Sequence, residues 1–193
     1  QLRVDLASGG VLTSATAVPG DFAILGITEG AQCLLPASTP LTIRWSASEG
    51  TWAYVNETVI VGIKDAFAPL GIDVKSDTLE LLGLSISASD TTIVFPGGFG
   101  IFSRFELDQE LATSLQDGLP AGVRAPVMIS ATDRNYVNWV RGGNFNPSGQ
   151  VRVPSVRGDG TGVFASSVTR TFEVVVSAAS SQGPPSASAC PVS

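Results

Sequence analysis

Carboxylates are the only general acid/base groups of ordinary strength in this sequence, because it contains no histidine. That removes Ser-His-Asp and Cys-His catalysis, imidazole proton relays, and His-ligated zinc, copper or non-haem iron. Glycoside hydrolysis needs only two carboxyl groups about 5 to 9 Å apart. The candidates are Glu106, Asp108 and Glu110 in one stretch and Asp73, Asp77 and Glu80 in another. The first trio is accounted for as acids in the first turn of a helix, where they complement its dipole, and the second reads as a solvated loop. A serine nucleophile would need Lys64 or Lys75 as its base, and neither lies in an S-x-x-K frame. Asp159-Gly160-Thr161-Gly162, with Asp133 and Asn135 upstream, offers oxygen donors of the kind calcium takes, but without a twelve-residue loop frame it reads as a turn. The expectation is a non-catalytic protein with no metal and no cofactor, a His-free glycoside hydrolase being the enzymatic alternative.

Binding chemistry has more to work with. Trp45, Trp52, Tyr54, Tyr136 and Trp139 are the aromatic set on which sugar rings could stack, with core packing as the competing use. Arg134, Tyr136, Asn138, Trp139 and Arg141 form the candidate ligand patch. Asn56-Glu57-Thr58 is an N-glycosylation sequon, though Asn56 also suits a helix cap. Arg157-Gly158-Asp159 spells an adhesion tripeptide, and Gly158 and Gly160 equally account for it as a turn.

Charge is unevenly spread. The net charge is −6, yet residues 124–170 hold six arginines against Asp133 and Asp159, while residues 1–123 are strongly acidic. Such asymmetry suits an anionic ligand or a second copy of the chain. Nucleic acid is not an expected partner, since the arginines are dispersed and the whole is acidic. No apolar run approaches the roughly 18 residues of a membrane span.

The two cysteines, Cys33 and Cys190, are too far apart for a redox motif and too few for a metal cage. A disulfide between them is expected, and with it an oxidising, extracellular location. The chain opens at Gln1 without methionine, as a processed secreted product would.

These residues must be positioned by elements that are mostly strands. Alternation or β-branched runs predict strands over Gln1–Leu6, Val11–Val18, Phe22–Ile27, Leu41–Ala47, Ile72–Lys75, Leu84–Ala88, Thr91–Phe95, Ala125–Ala131, Tyr136–Val140, Gln150–Val153 and Val168–Val176. A helix is predicted over about 104–117, from the Ser103-x-x-Glu106 capping box, the Phe102/Leu107 staple and the stripe Leu107, Leu111, Leu115. A second is predicted over about 56–70, from Ile60, Ile63, Phe67 and Leu70. The fold class is mainly β, a β-sandwich-like body carrying these helices, with α+β as the alternative. Residues 1–176 form one domain, residues 1–8 a detachable strand on the hinge Gly9-Gly10, and residues 177–193 a Ser/Ala/Pro-rich tail tethered by Cys190. The functional expectation is a secreted structural subunit that self-assembles into a filament or surface layer by donating Leu2, Val4 and Leu6 to a neighbour. A carbohydrate-binding module using exposed aromatics is the alternative.

Overall fold

Strands dominate because β-branched and aromatic residues alternate with polar ones along most of the chain. The computed structural model describes residues 1–85, 87–101, 109–142, 153–178 and 188–191. Its largest sheet is built on β5 (Ala53–Val61), β9 (Arg124–Thr132) and β11 (Ser167–Ser177). Beside these lie β3 (Gln32–Pro36), β6 (Thr78–Leu84), and the two-residue strands β8 (Gly100–Ile101) and β12 (Ser188–Ala189). The order is β12-β3-β11-β9-β5-β6-β8, with β3 parallel to both its neighbours and the other pairs antiparallel.

Period-2 patterning decides which face is core. Ala125, Val127, Ile129 and Ala131 of β9 point to one side with Phe172, Val174 and Val176 of β11, Tyr54 and Ile60 of β5, and Leu79 and Leu81 of β6. Over them packs the antiparallel pair β4 (Leu41–Arg44) and β7 (Thr92–Phe95), burying Leu41, Ile43 and Phe95. Ile63 and Phe67 of α1 (Ile63–Phe67) and Leu111 and Leu115 of α2 (Gln109–Gln116) complete this side. The structure is predominantly β with open sheets and a few helices, as the sequence predicts.

The second predicted helix is largely strand. Residues 53–61 form β5, and only Ile63–Phe67 is helical, followed by a 3-10 turn over Ala68–Leu70. β5 is paired along both edges, with β6 and β9. Two ladders plus the β-branched run Thr58-Val59-Ile60-Val61 outweigh the helical spacing. Gly62 takes a left-handed conformation (φ 85°) that ends the strand and opens α1. The expected helix near 104–117 is present as α2, whose Leu111 and Leu115 are buried; Ser103, Glu106, Phe102 and Leu107 lie outside the described residues.

Other boundaries also move. Residues 72–75 form no strand, β6 ends at Leu84 rather than starting there, and of Phe22–Ile27 only Ile24 forms a bridge, with Trp45. Residues 150–152 lie outside the described residues, and Val153 is not in a strand. Tyr136–Val140, expected as a strand, belongs to α3 (Arg134–Arg141). The reason lies one residue upstream: Asp133 accepts a hydrogen bond from the Tyr136 amide at 2.9 Å and caps the helix.

The first strand is folded back rather than free. β1 (Leu2–Asp5) pairs along its whole length with β2 (Val11–Ser14), and β10 (Arg157–Gly158) flanks β2 on its other edge. Gly9-Gly10 is thus a hairpin turn, closed by Leu6 N to Gly10 O at 2.8 Å and Gly9 N to Leu6 O at 2.9 Å, and not a hinge. No residue of this three-stranded sheet enters the main core. At the other terminus Cys190 is buried and bonded to Cys33, with Cα atoms 4.9 Å apart, so Ser188–Ala189 adds a strand to β3. No helix among the described residues is long and apolar enough to cross a membrane.

Candidate functional site

The β5–β9 ladder brings together residues that the sequence keeps far apart. Ala53 pairs with Thr132, and the Trp52 amide donates to the Thr132 carbonyl at 2.8 Å. The chain then leaves β9 through Asp133, 6% exposed, whose two oxygens are both committed. One takes the Tyr136 amide and the other the Thr16 hydroxyl at 2.6 Å, and Thr16 in turn bonds Ser166 at 2.7 Å. Asn135 Nδ2 donates to the Ala15 and Phe164 carbonyls at 2.8 and 2.9 Å. The start of α3 is therefore pinned to the segment following β2 and to the one preceding β11.

α3 lies on the sheet face opposite the main core. Val137 is fully buried there, on the same side as Ala53, Val55 and Leu82. Tyr136 turns toward the sheet and hydrogen-bonds Glu57 of β5. Burial raises the Glu57 carboxyl above the usual carboxylate range; the Tyr136 bond opposes this and nearby Glu80 adds to it. Burial, and then the charge of Glu57, push the Tyr136 phenol up.

The remaining face of α3 looks onto a cleft. Arg134 and Asn138, one turn apart, line it from the helix side. Arg3 of β1, Thr13 of β2 and Arg157 of β10 line it from the hairpin side. Its volume is about 770 Å³ and it is open to solvent. No Asp or Glu is among its described lining residues. Arg3 is paired with Asp5 at 2.9 Å, whereas Arg134 and Arg157 have no ion pair among the described residues. Arg134 instead stacks on Trp52, its Cζ 5.2 Å from the ring centroid, and Trp52 is 50% exposed. The Asn138 side chain has no hydrogen-bond partner among the described residues.

Of the five residues of the sequence-derived patch, Arg134 and Asn138 come together here. Tyr136 faces the sheet, Trp139 is half-buried, and Arg141 is exposed at the helix end; none of the three lines the cleft. Trp45 and Tyr54 are core residues in edge contact at 5.2 Å, leaving Trp52 as the exposed member of that part of the aromatic set. Arg3, Asn135 and Arg157 were missed as site residues, and the run Arg134, Asn138, Arg141 at i, i+4, i+7 was the signal for a helix face.

The remaining candidates have structural roles. Asn56 is 1% exposed inside β5 and neither caps a helix nor presents its amide to a glycosyltransferase, which corrects both expectations for it. In the tripeptide, which is exposed, one Asp159 oxygen accepts the Val11 amide at 3.0 Å and ties the turn to the hairpin. Asp77 accepts the Lys64 amide at 3.1 Å at the start of α1, and Asp73 is exposed on the following loop. Glu106 and Asp108 lie outside the described residues. Among the described residues no group of three or more His, Cys, Asp or Glu could hold a metal ion.

Arginine forks and an unpartnered amide, around a cleft with no acid among its described lining residues, are donors for a planar anionic or hydroxyl-rich ligand. Compared with known proteins, the chain matches no family model, no curated protein and no solved structure.

Proposed function

We propose that the chain is an extracellular, non-catalytic module that binds carbohydrate in the cleft between the β1–β2 hairpin and α3. The observation that carries this reading is the Trp52–Arg134 stack at that cleft: Trp52, half exposed and just outside the lining, carries on its ring the guanidinium of the lining residue Arg134, which places an aromatic next to directed donors. The cleft volume, about 770 Å³, falls within the range of small-ligand sites. The Cys33–Cys190 disulfide supports an oxidising location. A glycan array probed with the purified protein tests the reading. Binding of at least one saccharide class, weakened by Trp52→Ala, is expected; no binding to any saccharide would overturn it.

A second reading, self-assembly into a filament or surface layer, has its own support. Among the described residues β1 pairs only with β2 and has no partner on its outer edge, and Val4 is 38% exposed there. The Arg3–Asp5 pair on the same strand works against it, since charged side chains blunt strand edges. Light scattering of the full chain and of a chain lacking Gln1–Ser8 separates the two. Oligomers lost on deletion support assembly, and a monomer at all concentrations excludes it.

A further inference from the structure

We propose that the ligand of the cleft is an acidic saccharide, a sugar ring bearing a carboxylate that Arg134 and Arg157 receive while Trp52 meets the ring. This rests on the carbohydrate reading above and specifies its chemistry.

Each of these arginines has an acid within two positions in sequence, and in each case that acid has another hydrogen-bond partner. Asp133 precedes Arg134, but its oxygens accept the Tyr136 amide and the Thr16 hydroxyl. Asp159 follows Arg157 by two residues, but it accepts the Val11 amide. Asp133 is committed to a backbone amide and a hydroxyl and Asp159 to a backbone amide through one oxygen, and both guanidinium groups are without an ion pair among the described residues. Two arginines elsewhere are matched, Arg124 with Glu173 and Arg170 with Asp21 and Glu29, whereas Arg44 on β4 has no ion pair among the described residues but lies outside the cleft. A cleft with two unpaired guanidinium groups, in a chain of net charge −6, provides a local site of attraction for a carboxylate.

The arginines are also held at fixed places. Arg157 is paired with Thr13 across β10 and β2, and the next residue, Gly158, has φ 113° with the Val11 carbonyl oxygen so near that a Cβ would collide with it. Arg134 opens a helix pinned by Asp133 and Asn135, and its guanidinium rests on Trp52. A planar fork beside an aromatic face suits a carboxylate carried on a ring, because the fork takes both oxygens and the ring's C–H face takes the indole. The unpartnered Asn138 amide is within the same lining for the ring hydroxyls.

The test is calorimetric titration of the whole chain with oligogalacturonate, with oligoguluronate from alginate, with the carboxyl-reduced neutral form of each, and with inorganic sulfate. Binding of at least one uronate oligomer, lost on carboxyl reduction and weakened as salt rises, is expected. Arg134→Gln and Arg157→Gln should each weaken it about tenfold or more, the scale of a lost charge-assisted bond, while Arg44→Gln, on β4 outside the lining, should not. Arg134→Lys and Arg157→Lys keep the charge without the fork and should recover only part of the affinity; they also serve if a Gln variant has an altered melting curve. Equal binding of reduced and unreduced oligomers would overturn the proposal and leave carbohydrate binding standing. Sulfate bound as tightly as the uronates would overturn the saccharide part. No saccharide bound, charged or neutral, on these probes and on the array would remove the reading beneath it as well.

Discussion

Arg134 stands over the indole of Trp52 at 5.2 Å although 82 positions separate them. Their meeting is a consequence of register: Ala53 opposite Thr132 places the residue before β5 beside the residues after β9. A cation–π contact at a half-exposed site contributes about 0.5 to 1 kcal/mol, too little to hold the fold but enough to orient a guanidinium. Function and stability are therefore separable at this pair. Trp52→Ala is expected to shift unfolding in urea by no more than about 1 kcal/mol, while reducing saccharide binding severely.

The cap of α3 is where stability and the site meet. Asp133→Ala removes an N-cap acceptor and leaves Thr16 without its 2.6 Å partner. A loss of about 1 to 3 kcal/mol is expected in chemical denaturation. Asp133→Asn, which retains acceptor oxygen, should recover part of it.

Gly158→Ala should be costly for a different reason. At φ 113° a side chain is strained, and its Cβ would meet the Val11 carbonyl. The expected cost is about 1 to 3 kcal/mol, with the β10–β2 amides gaining hydrogen exchange and Arg157 losing its place on the cleft.

The long loop closed by Cys33–Cys190 spans 157 positions, and in the chain-entropy model its opening destabilises by about 5 kcal/mol. Denaturation with and without a reductant measures this. Mass spectrometry of the non-reduced protein should recover the two cysteine peptides linked.

Glu57 sets one arm of the pH dependence. Its carboxyl titrates above its unfolded value, chiefly because it is buried, so between the two values the folded chain holds more proton than the unfolded one. Stability from this group is greatest below the ordinary carboxylate range and declines as pH rises through the raised value. Glu173 acts oppositely: hydrogen bonding to Arg124 lowers it, so its contribution is present above the ordinary range and lost as pH falls through the lowered value. Glu57→Gln keeps an acceptor for Tyr136 and removes the charge. Its denaturation midpoint should match or exceed the parent's near pH 7, with the gap narrowing toward acidic pH.

The sequence carried the strands that bury one clean face. β9 and β11 alternate so regularly that their bounds were expected within a few residues. The Leu111/Leu115 stripe was also legible, since both neighbours and spacing agree. β5 was misread because helical spacing is local, whereas the two ladders that fix it come from β6 and β9, partners distant in sequence. α3 was misread for the reverse reason: eight residues carry little periodicity, and the Asp133 cap outweighs the β propensity of Tyr136, Val137 and Val140. Two of the five residues of the expected ligand patch, Arg134 and Asn138, line the cleft and were legible as composition. Arg3 and Arg157 join them, and Trp52 comes to lie beside Arg134, only through the folded-back hairpin and the β5–β9 register, which no local pattern encodes.

The most direct measurement is an NMR titration of the isotopically labelled chain with a binding oligouronate. Shifts are expected to cluster at the Trp52 indole, the Asn138 side-chain amide, the Arg134 and Arg157 guanidinium groups, and the backbone of Thr13, with the Trp45 indole, buried in the core, unmoved. Shifts centred on the exposed edge of β1 away from Trp52, on the far face of the sheet, or nowhere at saturating ligand would contradict the assignment of this cleft as the binding site.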